Sequence, residues 1–451
     1  MAKNMQQLKT LNSENMLQDQ TCWESNARSY PRKNPIVIKT AKDIYLTDIN
    51  GKQYIDCLAG AGSIALGHNN TMIIDAIRET LDKGTPLHTL DLLTEEKHTF
   101  MQDLLDTLPI SYKDNVKIQF CGPTGADAVE AAIKLCKTST GRENILAFSG
   151  AYHGMTQGTL AMMGNLEPKQ EINGLTPYIH FLPFPYAYRC PFGLKGEQSI
   201  DVNIESMSRL LKDPESGIKK PAVIILEPVQ GEAGVIPAPI KWLKAIRSLT
   251  KELDIPLIVD EVQCGIGRTG YLYAFEKAGI DPDVIVLSKA LGGGLPISVI
   301  IYKKHLDKWK PGAHSGTFRG NVLAMVAGSV TLNTVNNPVF LSHVRKNGDY
   351  FQNKLQTLKN RFDSIGDIRG SGLMIGVEII DENSQKDIIG SFPTHAKKAL
   401  QIKKDCFEKG LIVELGGRFG STIRFLPPLT IKKSQIDQVL EIFEKALEKN
   451  I

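Results

Sequence analysis

Five short apolar runs, rich in β-branched residues, constrain the fold of this chain more than any other feature. They are VKIQF (116–120), NILAF (144–148), AVIIL (222–226), PLIV (256–259) and VIVL (284–287). Apart from VKIQF, which carries Lys117 and Gln119, their near-continuous apolarity suits strands buried on both faces better than strands with one face in water. Helical spacing fills several of the intervals, most clearly 126–137 and 240–253. Strands alternating with helices predict an α/β fold with a mostly parallel sheet covered by helices. Ligands of such sheets gather beyond the carboxyl ends of the strands.

The flanking segments read differently. Residues 1 to about 30 are polar and loosely helical, an arm rather than core. From Pro35, IVIKTAKDIYLTDINGKQYIDCLAG reads as antiparallel strands, with Asn50-Gly51 as a two-residue hairpin turn. A helix is expected over 71–83, and 186–217, rich in Gly, Pro and polar residues, reads as an excursion. Further helices are expected over 321–335, 339–362 and 433–448, with strands in GSGLMIGVEI, LIVELGG and STIRFLPPLTI. The predicted division is an arm and first part of a small α+β domain (1–85), a large ligand-binding domain (86–336), and the remainder of the small domain (337–451).

Composition narrows the function. A net charge of +4, from 53 basic and 49 acidic residues that are dispersed along the chain, does not make a nucleic-acid platform. Seven cysteines without a C-x-x-C pair fit reduced thiols in the cytoplasm better than a disulfide framework. The first twenty residues contain no apolar signal region. No apolar run approaches the roughly 18 residues needed to cross a bilayer. No metal-ligand spacing and no G-x-S-x-G elbow is present, so neither a metal nor a membrane partner is expected.

Chemistry-bearing residues collect at the ends of the predicted strands. Lys289 follows VIVL and precedes three glycines, 292–294. A poorly solvated lysine there loses its proton more easily and can form a Schiff base with an aldehyde cofactor, although a surface lysine could occupy the same position. After VKIQF, Thr124, Gly125 and Ala126 open a helix whose N–H groups attract an anion, or simply cap it. Tyr152 and His153 follow NILAF, where an aromatic can stack on a planar ring or belong to the core. Glu227 and Glu232 follow AVIIL, and Asp260 closes PLIV; each needs a partner, structural or functional. GIGRTG (265–270) matches G-x-G-x-x-G formally, but follows a charged DEVQ and lacks the surrounding βαβ unit, so a nicotinamide dehydrogenase is the weaker alternative. Pyridoxal phosphate accounts for all four ends: phosphate at the helix N-terminus, aldehyde at Lys289, ring nitrogen at Asp260.

These residues resemble the class III (ornithine/GABA-type) aminotransferases of the fold-type I pyridoxal-phosphate enzymes. GPTGADAVEAAIK, AYHG, EPVQGEAG, DEVQCGIGRTG, LSKALGGG, HSGTFRGN and IRFLPPL occur in the family's order, from about Pro35 to the C-terminus. The resemblance implies that Lys289 is the Schiff-base lysine and proton shuttle and Asp260 the partner of the ring nitrogen. It places Val262 behind the ring, Gln263 on its phenolic oxygen, Tyr152 over its face and Thr124, Gly125 and Ala126 around the phosphate. Thr317 would reach the phosphate of a partner subunit, implying a homodimer with its site at the interface. Arg424 would grip a substrate α-carboxylate and pair with Glu227 when the amine end is bound, with Glu232 as a second residue of that switch.

One position departs from the ornithine and GABA members. Where they carry an arginine after aromatic-His-Gly for a distal carboxylate, this chain has Met155, which cannot make a bidentate carboxylate pair. Arg319 is the expected substitute, or else a salt bridge at the dimer interface. The AGAGSIALGHNN stretch and the HGMT and GTFRGN variants imply amino transfer between L-glutamate and L-aspartate 4-semialdehyde, giving 2-oxoglutarate and L-2,4-diaminobutanoate. Ornithine, acetylornithine and GABA aminotransferases and semialdehyde aminomutases are the alternatives.

Overall fold

The structure, a computed structural model, describes residues 12–112 and 114–450; residues 1–11, the start of the expected arm, lie outside the described residues. The five predicted strands form Val116–Phe120, Ile145–Phe148, Val223–Leu226, Leu257–Asp260 and Val284–Leu287. Two more, Ile179–Leu182 and Val299–Lys303, complete a seven-stranded sheet. The order across it is 116–120, 299–303, 284–287, 257–260, 223–226, 145–148, 179–182. Only Val299–Lys303 runs antiparallel to its neighbours. The connection from Leu287 to Val299 is shorter than the dozen or more residues a parallel crossover needs, so the chain must return in the opposite direction. Ile179–Leu182 escaped the sequence reading because it is an edge strand with a half-exposed Phe181 and no sustained apolar run.

Strand alternation divides the sheet's side chains between two cores. Leu257, Val259, Ile285 and Leu287 face one cluster with Trp242 and Ile246; Ile258, Val284 and Val286 face the other, under the alanine-rich side of helix Gly125–Thr140. The excursion expected over 186–217 is in part a 17-residue helix, Gly196–Lys212. Its glycines and prolines lie at or beyond its ends, while Ile200, Ile204, Met207 and Leu211 recur at helical spacing and pack on the core. Asn203 on this helix accepts a hydrogen bond from Trp242 Nε1 at 2.7 Å.

Both chain ends build the remaining sheets. Ile38–Lys42, Tyr45–Asp48 and Gln53–Asp56 are antiparallel, and Leu411–Ile412 joins Gln53–Asp56 in parallel. The hairpin loop at Asn50-Gly51 spans four residues, 49–52, rather than two. Asp48 Oδ1 accepts from the backbone N–H groups of Asn50 and Lys52, both at 2.9 Å, which holds the longer turn with Gly51 at φ +85°. A second antiparallel sheet orders Ile365–Ser371, Met374–Ile379, Thr422–Phe425 and Glu414–Gly416. Helix Thr71–Asp82 packs against helix Val322–Val335.

Helix Pro338–Lys359 approaches the hairpin after Ser371 closely at Gly348. A Cβ added there would lie 2.2 Å from the Gly372 carbonyl oxygen. Gly348→Ala is therefore expected to lower stability by about 1–3 kcal/mol through overpacking. A urea midpoint equal to that of the unmodified chain would count against this close approach. Among the described residues, no helix is long and apolar enough to cross a membrane.

Candidate active site

The carboxyl ends of the parallel strands open into a cavity of about 570 Å³. Thr124, Gly125, Ala126, Tyr152, His153, Glu227, Glu232, Asp260, Val262, Gln263 and Lys289 all line it. Residues separated by 165 positions in sequence meet because parallel strands deliver their ends to one edge of the sheet.

Lys289 leaves strand Val284–Leu287 with φ +43°, a left-handed conformation that costs a non-glycine residue on the order of 1–3 kcal/mol. Ser288 Oγ anchors the departure by donating to the Ile297 carbonyl at 2.8 Å. Burial lowers the Lys289 pKa, against opposing contributions from Glu232 and Asp260. Asp260 Oδ2 lies 2.8 Å from His153 Nδ1, and Oδ1 accepts from Val262 N at 3.0 Å. Burial depresses the imidazole's pKa, but the hydrogen bond and charge of Asp260 outweigh it and leave the value raised.

Glu227 accepts backbone N–H bonds from Tyr152 at 2.9 Å and Gly231 at 3.0 Å. Burial pushes its pKa up to about 7, despite these bonds and the nearby His153. The partner of Arg424 is not Glu227, as the sequence reading expected, but Glu232. Two parallel bonds of 2.8 Å join Arg424 Nη1 and Nη2 to Glu232 Oε1 and Oε2. The reason is geometric: Glu227 turns back to cap its own loop, whereas the Glu232 carboxylate faces the strand Thr422–Phe425 that carries Arg424.

Pyridoxal phosphate fits this arrangement. Thr124 caps helix Gly125–Thr140 by accepting from Asp127 N at 3.2 Å. A Cβ on Gly125 would lie 2.8 Å from Val262 Cγ1, so only glycine lets the helix start close against the cavity wall. Gln263 Oε1 and His153 Nε2 are buried polar atoms without a protein partner among the described residues. Such atoms are unfavourable unless a ligand or water meets them.

Two expected site residues lie elsewhere. Thr317 and Arg319 sit on the turn Thr317–Gly320, outside the cavity of their own chain. Within its own chain Arg319 pairs with Asp91 and donates to the His314 carbonyl at 3.0 Å. Met155 does line the cavity. So does Tyr30, which the sequence reading missed because it stands alone in a polar arm. Burial, then Glu414 and Glu232, push the Tyr30 phenol up to about 12, and Lys33 ties this part of the arm to Glu414 at 3.1 Å.

A strand-end lysine and carboxylate around a glycine-lined helix start, on a mostly parallel sheet, define a pyridoxal-phosphate type of site. Residues 27–447 match the model of the Aminotransferase class-III family, and the chain belongs to that family. It is 53% identical to the diaminobutyrate–2-oxoglutarate aminotransferase of Rhizobium meliloti (strain 1021), covering 94% of this chain and 91% of that one. It is 46% identical to the enzyme of the same name from Haemophilus influenzae, covering 96% and 95%. An amine transaminase from an uncultivated Pseudomonas species, in its PLP-bound form, shares the fold: TM-score 0.84, 24% identity, covering 94% and 97%.

Proposed function

We propose that this chain transfers an amino group between L-glutamate and L-aspartate 4-semialdehyde, giving 2-oxoglutarate and L-2,4-diaminobutanoate. The observation that carries the reading is the pairing of Arg424 with Glu232, which lines the same cavity as Lys289. The two substrates must present different ends to one reacting centre, and a carboxylate-binding arginine with an internal carboxylate partner can serve both. The names and near-full coverage of the relatives from Rhizobium and Haemophilus support the same pair of substrates. Met155 supports it against ornithine and GABA, since among the described residues no arginine lines the cavity beside it.

Pyridoxal phosphate, when bound, supplies an aldehyde for the substrate amine and a ring that accepts electrons from the substrate carbon. Thr124, Gly125 and Ala126 would hold its phosphate, with Thr317 of the partner subunit in a homodimer. Tyr152 and Val262 would flank the ring, Gln263 would meet its phenolic oxygen, and Asp260, positioned by His153, its nitrogen. Lys289 Nζ would hold the cofactor's aldehyde carbon and would carry the substrate's proton at the reacting carbon. Arg424 leaves Glu232 to take the glutamate α-carboxylate and returns when diaminobutanoate presents its distal amine. The absence of C-x-x-C pairs and the free thiols support a cytoplasmic location.

The test is a panel of amine donors offered with aspartate 4-semialdehyde and read by mass spectrometry. Glutamate-dependent diaminobutanoate is the expected product; efficient use of ornithine or GABA instead would overturn the assignment. Glu232→Gln is expected to blunt the switch, because a freed Arg424 also captures the α-carboxylate of diaminobutanoate in the wrong pose. A fall of about tenfold or more in kcat with diaminobutanoate, with glutamate kcat little changed, is the signature of that misplaced binding and corresponds to one charge-assisted contact. Equal changes for both substrates would contradict it.

Glu227 also gives a pH dependence. Its folded pKa of about 7 exceeds the unfolded carboxylate value of about 4.3. The folded chain therefore holds the extra proton, and its stability falls as pH rises through that interval. Glu227→Gln should remove this loss, so its stability relative to the unmodified chain rises between about pH 5 and pH 8. Urea unfolding of both at the two pH values measures the difference; a constant difference would place the Glu227 titration elsewhere.

A further inference from the structure

Cys121, Asp127 and His314 bring one sulfur, one carboxylate oxygen and one imidazole nitrogen within 4.8 Å of one another. They come from three separate elements: the end of strand Val116–Phe120, the first turn of helix Gly125–Thr140 and the loop before Thr317. The mechanism uses none of them. We propose that these three side chains form a binding site for a zinc-class divalent cation beside the phosphate-binding turn.

The donor set favours that class. Thiolate, imidazole and carboxylate together suit Zn²⁺ or Co²⁺, whereas Mg²⁺ and Ca²⁺ prefer oxygen alone. Three protein ligands leave a fourth tetrahedral position for water. Ligand distances of about 2.0–2.3 Å require the three atoms to draw together by small side-chain rotations. Asp127 Oδ2 and His314 Nε2 are already 3.0 Å apart. Cys121 is 2% exposed, so burial holds its thiol protonated without an ion; the cation displaces that proton, which leaves to solvent. One thiolate and one carboxylate then neutralise the dication. The Asp127 side chain, 38% exposed, provides the path of entry.

Two neighbours set the consequences. Gly122 N donates at 2.5 Å to Asp127 Oδ2, the oxygen that would turn to the cation, so the ion loosens the turn that leads to Thr124. Lys134 Nζ lies 3.2 Å from His314 Nδ1 and donates to the Ala313 carbonyl at 3.0 Å. With the metal on Nε2, the ring proton moves to Nδ1 and faces the Lys134 ammonium. Lys134 therefore opposes binding, and its removal tightens it.

Zinc is titrated into the holoenzyme against a chromogenic chelator, and cobalt is added separately for its visible tetrahedral absorption. One ion per chain is expected, with that absorption. Cys121→Ser and His314→Gln should each weaken binding by more than about tenfold, since even outer-sphere partners contribute 10–100-fold. Lys134→Ala should strengthen it. His314 is on a loop, so its variant remains informative if Cys121→Ser folds poorly. Zinc binding unchanged in His314→Gln, or weakened in Lys134→Ala, overturns the site, as does failure of the unmodified holoenzyme to take up one ion.

Discussion

Lys289→Ala is expected to lower kcat by at least about 10²–10⁴-fold, the contribution of a positioned proton-transfer group alone. The side chain stands at the floor of the cavity, strained at φ +43° and made less basic by burial. Among the described residues, no other amine lines that cavity to replace Nζ. Two readouts separate this role from a merely structural one. Borohydride reduction followed by peptide mass analysis should place the cofactor on residue 289 in the unmodified chain and nowhere in the variant. The variant should still bind pyridoxal phosphate, because Thr124, Gly125, Ala126 and Asp260 are untouched. Turnover equal to that of the unmodified chain would remove Lys289 from the mechanism.

Asp260→Asn should lower kcat by about 10²–10³-fold, the range found for removing one preorganised electrostatic group. Asparagine keeps the size of the side chain and can still accept from Val262 N, now at 3.0 Å. It removes the charge. His153, whose pKa is raised by this carboxylate against the effect of burial, should titrate lower in the variant. The expected result is a large fall in kcat with little change in either KM, accompanied by a downward shift of the His153 titration followed by NMR. A KM effect alone would assign Asp260 to substrate binding.

The difference between the two glutamates shows where sequence reading stops. Glu227 and Glu232 follow the same strand five residues apart, and either could be written beside Arg424. Backbone direction decided between them: the N–H groups of Tyr152 and Gly231 converge on Glu227, leaving Glu232 for the arginine. Tyr30 carried no signal, since an isolated aromatic in a polar arm has no period to mark it. The ion pair of Arg319 with Asp91 carried none either, because it joins residues more than 200 positions apart.

Local chemistry was nonetheless written plainly. Asn321 caps helix Val322–Val335, and helix Lys433–Glu448 has the predicted bounds. Five central strands follow from apolar runs whose side chains fill two opposite cores.

The sequence by itself determined five of the large sheet's seven strands, several helices and the residue types that collect at the strand ends, because burial and periodicity are local properties of a chain. The tertiary structure alone decided which carboxylate holds Arg424, that Tyr30 reaches the cavity, and that Val299–Lys303 runs against its neighbours. Those outcomes depend on where distant backbone groups point and on how far a connection must reach, and neither quantity is encoded in any one stretch of residues.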